Sequence, residues 1–306
     1  MGVAAETVFG TPVPATNFLP DTQCTLEVDP GWFSPSVMMG QRDLQTFNLY
    51  GEQKIAGTVE GPLFPSNGIP LLVYAIGTDA VTGSGTPYTH TISQANALKS
   101  VTVEKNIGGY QSLQFAGCRV GKIALKCAAG NEAATITADI AGQKAAVMDT
   151  PTGITIVNEA PFTFANGTLT LFSHARTEVT SCTVDIDNGL KETYTFSGQH
   201  YPSFITPVTL KVSGTVDVVW DSLDDSTYGD YTTMENGTLG ALVLALSQGV
   251  DASVTVNVPQ IALSKYSNDL KVSDVIMSSL TYEGSRDLSN PGTVTAVIVN
   301  SVATAY

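Results

Sequence analysis

The sequence has few of the residues that bind nucleic acids and no segment that could span a membrane. Only 14 Lys and Arg stand against 28 Asp and Glu in 306 residues, which gives a net charge of −14. Because a phosphate backbone is bound by clustered Lys and Arg, this balance argues against a nucleic-acid-binding surface. No apolar run reaches the ~18 residues that a membrane helix needs. With 43% hydrophobic and 14% charged residues, the composition is that of a folded chain.

The motifs of enzymes and metal sites are missing as well. No Gly-x-Ser-x-Gly elbow, P-loop or dinucleotide fingerprint follows a predicted strand. An acidic run could offer oxygen ligands to Ca²⁺, but its spacing is not that of an EF-hand, which favours a solvated loop. We therefore predict no enzyme activity, no cofactor and no metal site. The residues weighed for metal binding are His90, His174, His200, Asp221, Asp224 and Asp225.

Four cysteines form neither a disulfide framework nor a zinc pattern. Cys118 and Cys127 lack zinc spacing, while Cys24 and Cys182 are the same position of a repeated stretch. Their parity with neighbouring apolar residues predicts that Cys24 and Cys182 face the core in a reducing compartment. Residues 1–6 have no positive region of a signal peptide, so we expect folding to begin in a cytoplasm.

What is present is an internal repeat. Cys24–Gly31 returns as Cys182–Gly189, with four of eight positions identical and an offset of 182 − 24 = 158. Other matches share its order and approximate spacing, which favours a duplicated domain. These matches are Gly57–Val59 with Gly214–Val216, Ser100–Val103 with Ser253–Val256, and Thr135–Ile140 with Thr293–Ile298.

The repeat and the prolines divide the chain into four parts. Pro12, Pro14 and Pro20 exclude a helix near the N-terminus, so an extended arm is predicted that closes its own domain or reaches a neighbouring subunit. The length agrees with about two domains. The predicted parts are an arm at 1–20, a first domain at 21–148, a linker at 149–160 and a second domain at 161–306.

Alternation of apolar and polar residues predicts mostly antiparallel sheet in both domains. One short helix is expected in each: the first starts near Pro70 and stops at Gly77, and the second runs from an N-cap at Thr238 to Gly249. Leu239, Leu242, Val243 and Leu246 give the second its helical spacing. Asn188-Gly189 is a hairpin-turn dipeptide. Strands are predicted at Lys54–Val59, Ser100–Lys105, Ser112–Phe115, Gly121–Ala128, Ala134–Ile140, Ser181–Asp187, Pro207–Trp220, 252–258, 270–283 and 292–300.

Two long segments, 31–53 and 190–206, are irregular and aromatic, and residues 78–99 could form a projecting hairpin. Long apolar loops in compact domains are usually functional, and exposed apolar surface marks interfaces. The candidate contact residues between subunits or rings are Phe9, Trp32, Phe33, Met38, Met39, Phe47, Tyr50, Tyr194, Phe196, Tyr201 and Phe204.

Taken in order, several segments resemble the tail tube (major tail) proteins of bacteriophages with long, non-contractile tails, of the kind with about 300 residues. The resemblance covers nearly the whole chain and depends on the order of individually loose motifs. These are Glu6–Val13, Ser100–Cys118, Ser181–Gly189, and His200-Tyr201-Pro202 ahead of the strand to Gly214–Val216.

The resemblance implies two tandem tail-tube-like domains, each a β-sandwich closing toward a barrel with one short packed α-helix. It implies a siphovirus virion protein whose rings stack into a tube that conducts DNA to the host cell without binding it specifically. Partners would be further copies of the chain, the tape-measure protein, and the tail terminator and distal tail proteins. The protein would be located in the virion tail after assembly in the bacterial cytoplasm.

Family members with one domain form rings of six, so two domains per chain predict a homotrimeric ring of pseudo-sixfold symmetry. The alternative is a homohexamer in which the second domain decorates the outside. A different function also stays open, that of a two-domain Ig-like virion decoration or cell-surface binding module. For the tube, a negative channel wall would repel phosphate, and the candidate acids that line it are Glu27, Asp29, Asp185 and Asp187.

Overall fold

Strands with alternating burial make up most of the chain, and the mainly β fold predicted from the sequence is confirmed. The computed structural model describes residues 1–20, 22–36, 40, 47–220, 229–269, 275–290 and 292–306. In the first half the elements are β1 (Gly2–Ala5), β2 (Asn17–Phe18), β3 (Gln23–Cys24), β4 (Glu27–Asp29), β5 (Lys54–Pro62), α1 (Ile69–Ile76), β6 (Gly77–Thr82), β7 (Tyr88–Gln94), β8 (Val101–Ile107), β9 (Gln111–Ala128), β10 (Thr135–Gly142) and β11 (Lys144–Met148).

The second half begins with a 3-10 turn at Phe164–Asn166. Its further elements are β12 (Gly167–Leu171), β13 (His174–Arg176), β14 (Val179–Asp187), β15 (Leu190–Thr193), β16 (Phe204–Pro207), β17 (Lys211–Val219), α2 (Asp230–Glu235), β18 (Leu239–Ser247), β19 (Ser253–Asp269), β20 (Met277–Gly284) and β21 (Thr295–Asn300).

One antiparallel layer, the principal sheet, runs through both halves of the chain. Its strand order is β4, β5, β10, the C-terminal half of β9, β14, β17, β20 and the C-terminal half of β19, with β3 continuing the line of β4. One face of the sheet is apolar and buried, whereas the other face is polar. This two-faced pattern is what period-two alternation produces.

A second layer covers the apolar face and contains the N-terminal halves of β9 and β19. In the first half its strand order is β2, β1, β8, β9 and β11. In the second half it is β13, β12, β18, β19, β21, β7 and β6. The two long strands therefore pass from one layer to the other, and a continuous buried core lies between the layers.

The two halves repeat one order of elements. The sequence β4, β5, α1, β8, β9, β10, β11 has the same pairings as β14, β17, α2, β18, β19, β20, β21. Even the register shifts recur, between Val101 and Val103 where β8 pairs with β9, and between Gly240 and Leu242 where β18 pairs with β19. The halves are also joined by direct strand pairing of β9 with β14 and of β7 with β21. The division at 149–160 into two domains stays a prediction.

Two of the four sequence matches do not lie on corresponding strands. The matches that begin at Cys24 and Gly57 do correspond, because β3 and β4 pair with β5 as β14 pairs with β17. Ser100–Val103, however, leads into β8 while its match lies in β19, and Thr135–Ile140 lies in β10 while its match leads into β21. Short Thr/Val alternations are common to many strands and therefore do not identify equivalent ones.

The helix at α1 is confirmed, but the helix predicted at 238–249 is wrong. This segment is strand β18, in which Leu242, Leu244 and Leu246 are buried on one face. Leu and Ala at almost every position satisfy period 3.6 and period two together, so neighbouring strands β12 and β19 decide the outcome. The helix in the second half is α2 instead.

Several loop predictions also change. Asn188-Gly189 is not a two-residue hairpin turn, because β15 pairs with β16 and not with β14. The segment 190–206, predicted to be irregular, thus contains a short hairpin. The hairpin expected within 78–99 is present as β6 and β7. The N-terminal segment packs on its own chain, with β1 paired to β8.

Candidate functional site: a polar sheet face and an aromatic loop cluster

The polar face of the principal sheet carries an excess of acids. Its register places eight carboxylates, five lysines and Arg119 on this face among the described side chains, a balance of 6 − 8 = −2. The acids are Glu27, Asp29, Glu60, Asp139, Asp185, Asp187, Asp217 and Glu283, and the lysines are Lys54, Lys122, Lys126, Lys211 and Lys265.

All four acids predicted to line a channel lie on this face. Asp185 is half-buried and its carboxylate lies 3.6 Å from the ammonium of Lys122, whereas Glu27, Asp29 and Asp187 are exposed. Elsewhere on the face Lys211 pairs with Glu283 at 3.0 Å. Exposed ion pairs of this kind contribute little stability, so the mixture of charges mainly shapes the field of the face.

The repeated stretch interrupts the sheet in the same way in both halves. The ladder between β14 and β17 skips Thr183, whose hydroxyl instead accepts the backbone N–H of Thr215 at 2.9 Å. In the first half the hydroxyl of Thr25 accepts the N–H of Thr58 at 2.9 Å. The same irregularity thus occurs at the same point of both strand pairs.

The cysteines of the repeat are in different surroundings. Cys182 is buried, and burial raises the pKa of its thiol to about 12, so the thiol stays protonated at neutral pH. Cys24 is only half-buried, because β3 has a strand on one side and Cys182 lies between β9 and β17. The prediction of a core position thus holds for Cys182 and only partly for Cys24. All four cysteines are free.

The two aromatic segments, which are far apart in the sequence, meet at one end of the principal sheet. Segment 31–53 joins β4 to β5 and segment 190–206 joins β14 to β17, so they leave equivalent strand ends. The N–H of Gln53 donates to the carbonyl of His200 at 2.7 Å, and the hydroxyl of Tyr194 donates to the carbonyl of Gln53 at 2.9 Å. The ring of Tyr50 contacts those of Trp32 and His200 with centroids 5.3 and 4.3 Å apart.

We call this group the aromatic loop cluster and define it by Trp32, Phe33, Tyr50, Tyr194, Phe196 and His200. Trp32, Phe33 and Phe196 in it are exposed, and Phe196 entirely so. Burial and the neighbouring Glu192 raise the pKa of Tyr194 to about 12, which keeps its hydroxyl a hydrogen-bond donor.

The structure separates the remaining predicted contact residues. Phe9 lies beneath the guanidinium of Arg119 at 5.3 Å, and Tyr201 lies beneath the ammonium of Lys144 at 4.9 Å. Phe47 and Phe204 are exposed. Met38 and Met39, together with Asp221, Asp224 and Asp225, lie outside the described residues.

A buried carboxylate fixes the N-terminal segment. Glu6 accepts the N–H groups of Gly10 at 3.0 Å and Gly117 at 2.8 Å, and the hydroxyl of Thr102 at 2.9 Å. Three such hydrogen bonds compensate for the burial of a charged group. No sequence pattern predicted these hydrogen bonds, because Thr102 and Gly117 are about a hundred positions away from Glu6.

His90 is fully buried and fixes the C-terminal segment. Its Nδ1 lies 2.9 Å from a carboxylate oxygen of Asp79 and its Nε2 lies 3.0 Å from the carbonyl of Val302. Asp79 also accepts the N–H of Tyr306 at 3.0 Å. Burial lowers the pKa of His90, but hydrogen bonding and charge from Asp79 and the Val302 carbonyl outweigh burial and raise it overall. Two acceptors face the ring, and only the imidazolium donates to both.

In the part of the chain that the structure describes, no three His, Cys, Asp or Glu side chains are grouped to hold a metal ion. The helices within the described ranges are all too short or too polar to cross a membrane.

Comparison with known proteins identifies the family. The curated proteins contain no relative that matches this chain. A family model described as "Phage tail tube protein" matches residues 1–296. Because this match takes in almost the whole sequence, including the principal sheet and the aromatic loop cluster, the chain belongs to the phage tail tube protein family and is a structural component of the virion tail.

Proposed function

We propose that copies of this chain assemble into stacked rings, and that the stack is the tube through which DNA passes to the host cell. Three chains form each ring with pseudo-sixfold symmetry. The observation that carries this proposal is the repeated order of elements, in which each half contributes four strands to one principal sheet. Domains 21–148 and 161–306 are then equivalent units of the wall, joined by the linker at 149–160.

Strand number supports three chains over six. Eight strands per chain and three chains make 3 × 8 = 24 strands, which at about 4.8 Å spacing and about 40° tilt close into a cylinder about 48 Å across at the backbone. Six chains with every strand in the wall would give a cylinder about twice as wide. A hexamer has the narrower width only if the second half of each chain lies outside the wall. The pairing of β9 with β14 argues against that arrangement, because it joins the two halves in one sheet.

The polar face of the principal sheet is the proposed channel wall. The second layer covers the other face, so closing the sheet with that layer outside turns the polar face toward the axis. Glu27, Asp29, Asp185 and Asp187 contribute to its negative balance. A wall of the same sign as phosphate repels DNA and leaves it free to slide.

The aromatic loop cluster is the proposed contact between stacked rings. It lies at the end of the principal sheet, where a neighbouring ring would meet it, and it exposes large apolar side chains. Phe47 and Phe204, which are also exposed, the hairpin of β6 and β7, and the N-terminal segment are further candidates for this contact. The tape-measure, tail terminator and distal tail proteins would be the other partners, with assembly in the host cytoplasm.

Electron microscopy of the purified protein tests the proposal. We expect hollow rings or tubes that form without other phage proteins. A monodisperse monomer at high concentration would contradict ring assembly and favour a decoration module.

A further inference from the structure

Among the residues that the structure describes, two strand edges of the principal sheet are open, with a neighbouring strand on one side only, although their counterparts in the other half lie between two strands. The β3–β4 edge has a neighbour on one side, β5, whereas the equivalent β14 lies between β17 and β9. At the opposite end the C-terminal half of β19 pairs with β20 on one side, whereas the equivalent half of β9 lies between β10 and β14. The internal junction is the pairing of β14 with β9. Their equivalents, β4 and the C-terminal half of β19, lie at the two edges of the sheet, where each has one neighbouring strand.

Burial follows the same asymmetry. Ile186 in β14 is 0% exposed, while its counterpart Val28 in β4 is 39% exposed. Ile123 in β9 is fully buried, while its counterpart Tyr266 in β19 is half-buried. Helix α1 is buried at every residue, whereas α2 has no buried residue. Positions that are core in the middle of the chain are therefore only partly covered at its ends.

The C-terminal halves of β9 and β19 correspond residue by residue, because their pairing partners correspond. Ile123 lies opposite Ala138 of β10, as Tyr266 lies opposite Leu280 of β20. β10 and β20 pair in the same register with the matched strands β5 and β17. In both long strands a bulge precedes a lysine: Lys122 directly follows the shift in β9 and Lys265 directly follows the shift in β19.

We infer that the β3–β4 edge of one copy pairs antiparallel with the C-terminal half of β19 of a second copy, in the register that joins β14 to β9. This inference rests on the proposed ring and names the edges that close it. Inside the chain Asp187 lies opposite Lys122, Ile186 opposite Ile123, and Asp185 opposite Ala124. Between copies the corresponding opposite pairs are Asp29 with Lys265, Val28 with Tyr266, and Glu27 with Ser267.

Charge complementarity supports the second copy as the occupant. Inside the chain Lys122 forms an ion pair with Asp185. Their equivalents, Lys265 of one copy and Glu27 of the next, have the same opposite charges and could pair in the same way. Val28 would be covered by Tyr266 as Ile186 is covered at the internal junction. Backbone N–H and C=O groups of both open edges would gain partners, as strand addition at a sheet edge provides.

Disulfide cross-linking tests the register. Directly opposed residues have Cα atoms about 4.5–5.5 Å apart, within the range of a disulfide. The variant E27C/S267C should give, after oxidation of assembled protein, covalent oligomers of two and three chains. The internal equivalent A124C/D185C is the positive control, since it should form a disulfide within one chain. The pair E27C/K265C, two residues out of register, should lose the oligomer ladder, as should each single variant.

Charge exchange provides a second, independent test. E27K or K265E alone should lower the fraction of assembled protein, and the double variant E27K/K265E should restore it. The control K211E changes a lysine of the same face within an interior strand and should leave assembly at the unaltered level.

The two proposals fail in different ways. Tubes that form while E27C/S267C gives no ladder, with A124C/D185C cross-linked, would overturn the inferred pairing and leave the tube function intact. If the unaltered protein does not assemble and the E27C/S267C variant gives no ladder, both proposals are overturned.

Discussion

The hydroxyl of Thr183 accepts the backbone N–H of Thr215 at 2.9 Å, at a point where the ladder between their two strands is interrupted. Thr25 and Thr58 repeat the contact at the same distance in the first half of the chain. In both places the strands approach each other closely, and the residue before Thr215 or Thr58 is a glycine. A Cβ on Gly214 would lie 2.1 Å from the carbonyl oxygen of Thr183, and one on Gly57 would lie 2.5 Å from the Cα of Leu26.

Gly214→Ala and Gly57→Ala should therefore destabilise the fold, each by about 1–3 kcal/mol, because the added methyl pushes two strands apart. Chemical denaturation of the purified variants measures this. Gly85→Ala is the matched control, since a Cβ there meets nothing within 4 Å. Equal midpoints for all three variants would contradict the close approach.

Stability should fall as the pH rises above about 6.5. The pKa of His90 is raised in the folded protein above its ordinary value of about 6.5, so its imidazolium stabilises the fold below that pH. This stabilisation is lost as the pH rises through the folded-state pKa. Thermal denaturation at a series of pH values should show a slope that His90→Gln reduces. An unaltered slope in His90→Gln would exclude His90 as its source.

Trp32→Ser and Phe196→Ser should shift stacked tubes toward single rings, because they remove exposed apolar surface from the aromatic loop cluster. Sedimentation and electron microscopy separate the two forms. Tyr110→Ser, which removes an exposed aromatic ring from the turn between β8 and β9, is the control. Tubes of normal length from both cluster variants would show that the stacking contact lies elsewhere.

The proposed direction of the polar face can be tested by labelling. In a Cys24→Ser background, Asp187→Cys should react with a small maleimide in assembled tubes but slowly with a bulky polymer-linked one. Val147→Cys, exposed on the second layer, should react with both. Rapid reaction of Asp187→Cys with the bulky reagent would place the polar face outside the tube.

How far the sequence predicts this molecule depends on the range of the interaction concerned. Local signals placed α1, because Pro70 starts it and Gly77 ends it, and they placed strands by alternation. The same local signals failed at Leu239–Ser247, where Leu and Ala satisfy two periodicities and strand pairing decides between them.

The candidate surfaces were predicted in part. Aromatic content marked 31–53 and 190–206 separately, but only the fold shows that Gln53 and His200 bring them together. Likewise, the repeat identified Cys24–Asp29 and Cys182–Asp187 as equivalents. It could not show that Cys182–Asp187 lies between two strands whereas Cys24–Asp29 lies at an edge of the described sheet. That difference depends on the pairing of β14 with β9, which are about sixty residues apart.

The central claim is that three chains close one ring with both halves of each chain in its wall. Cryo-electron microscopy of assembled tubes with independent determination of symmetry tests it most directly. The predicted result is three chains per ring, a ring mass of 3 × 32.1 kDa or 96.3 kDa, and two equivalent wall units per chain. Six chains per ring, with residues 161–306 on the outside of the tube, would contradict it.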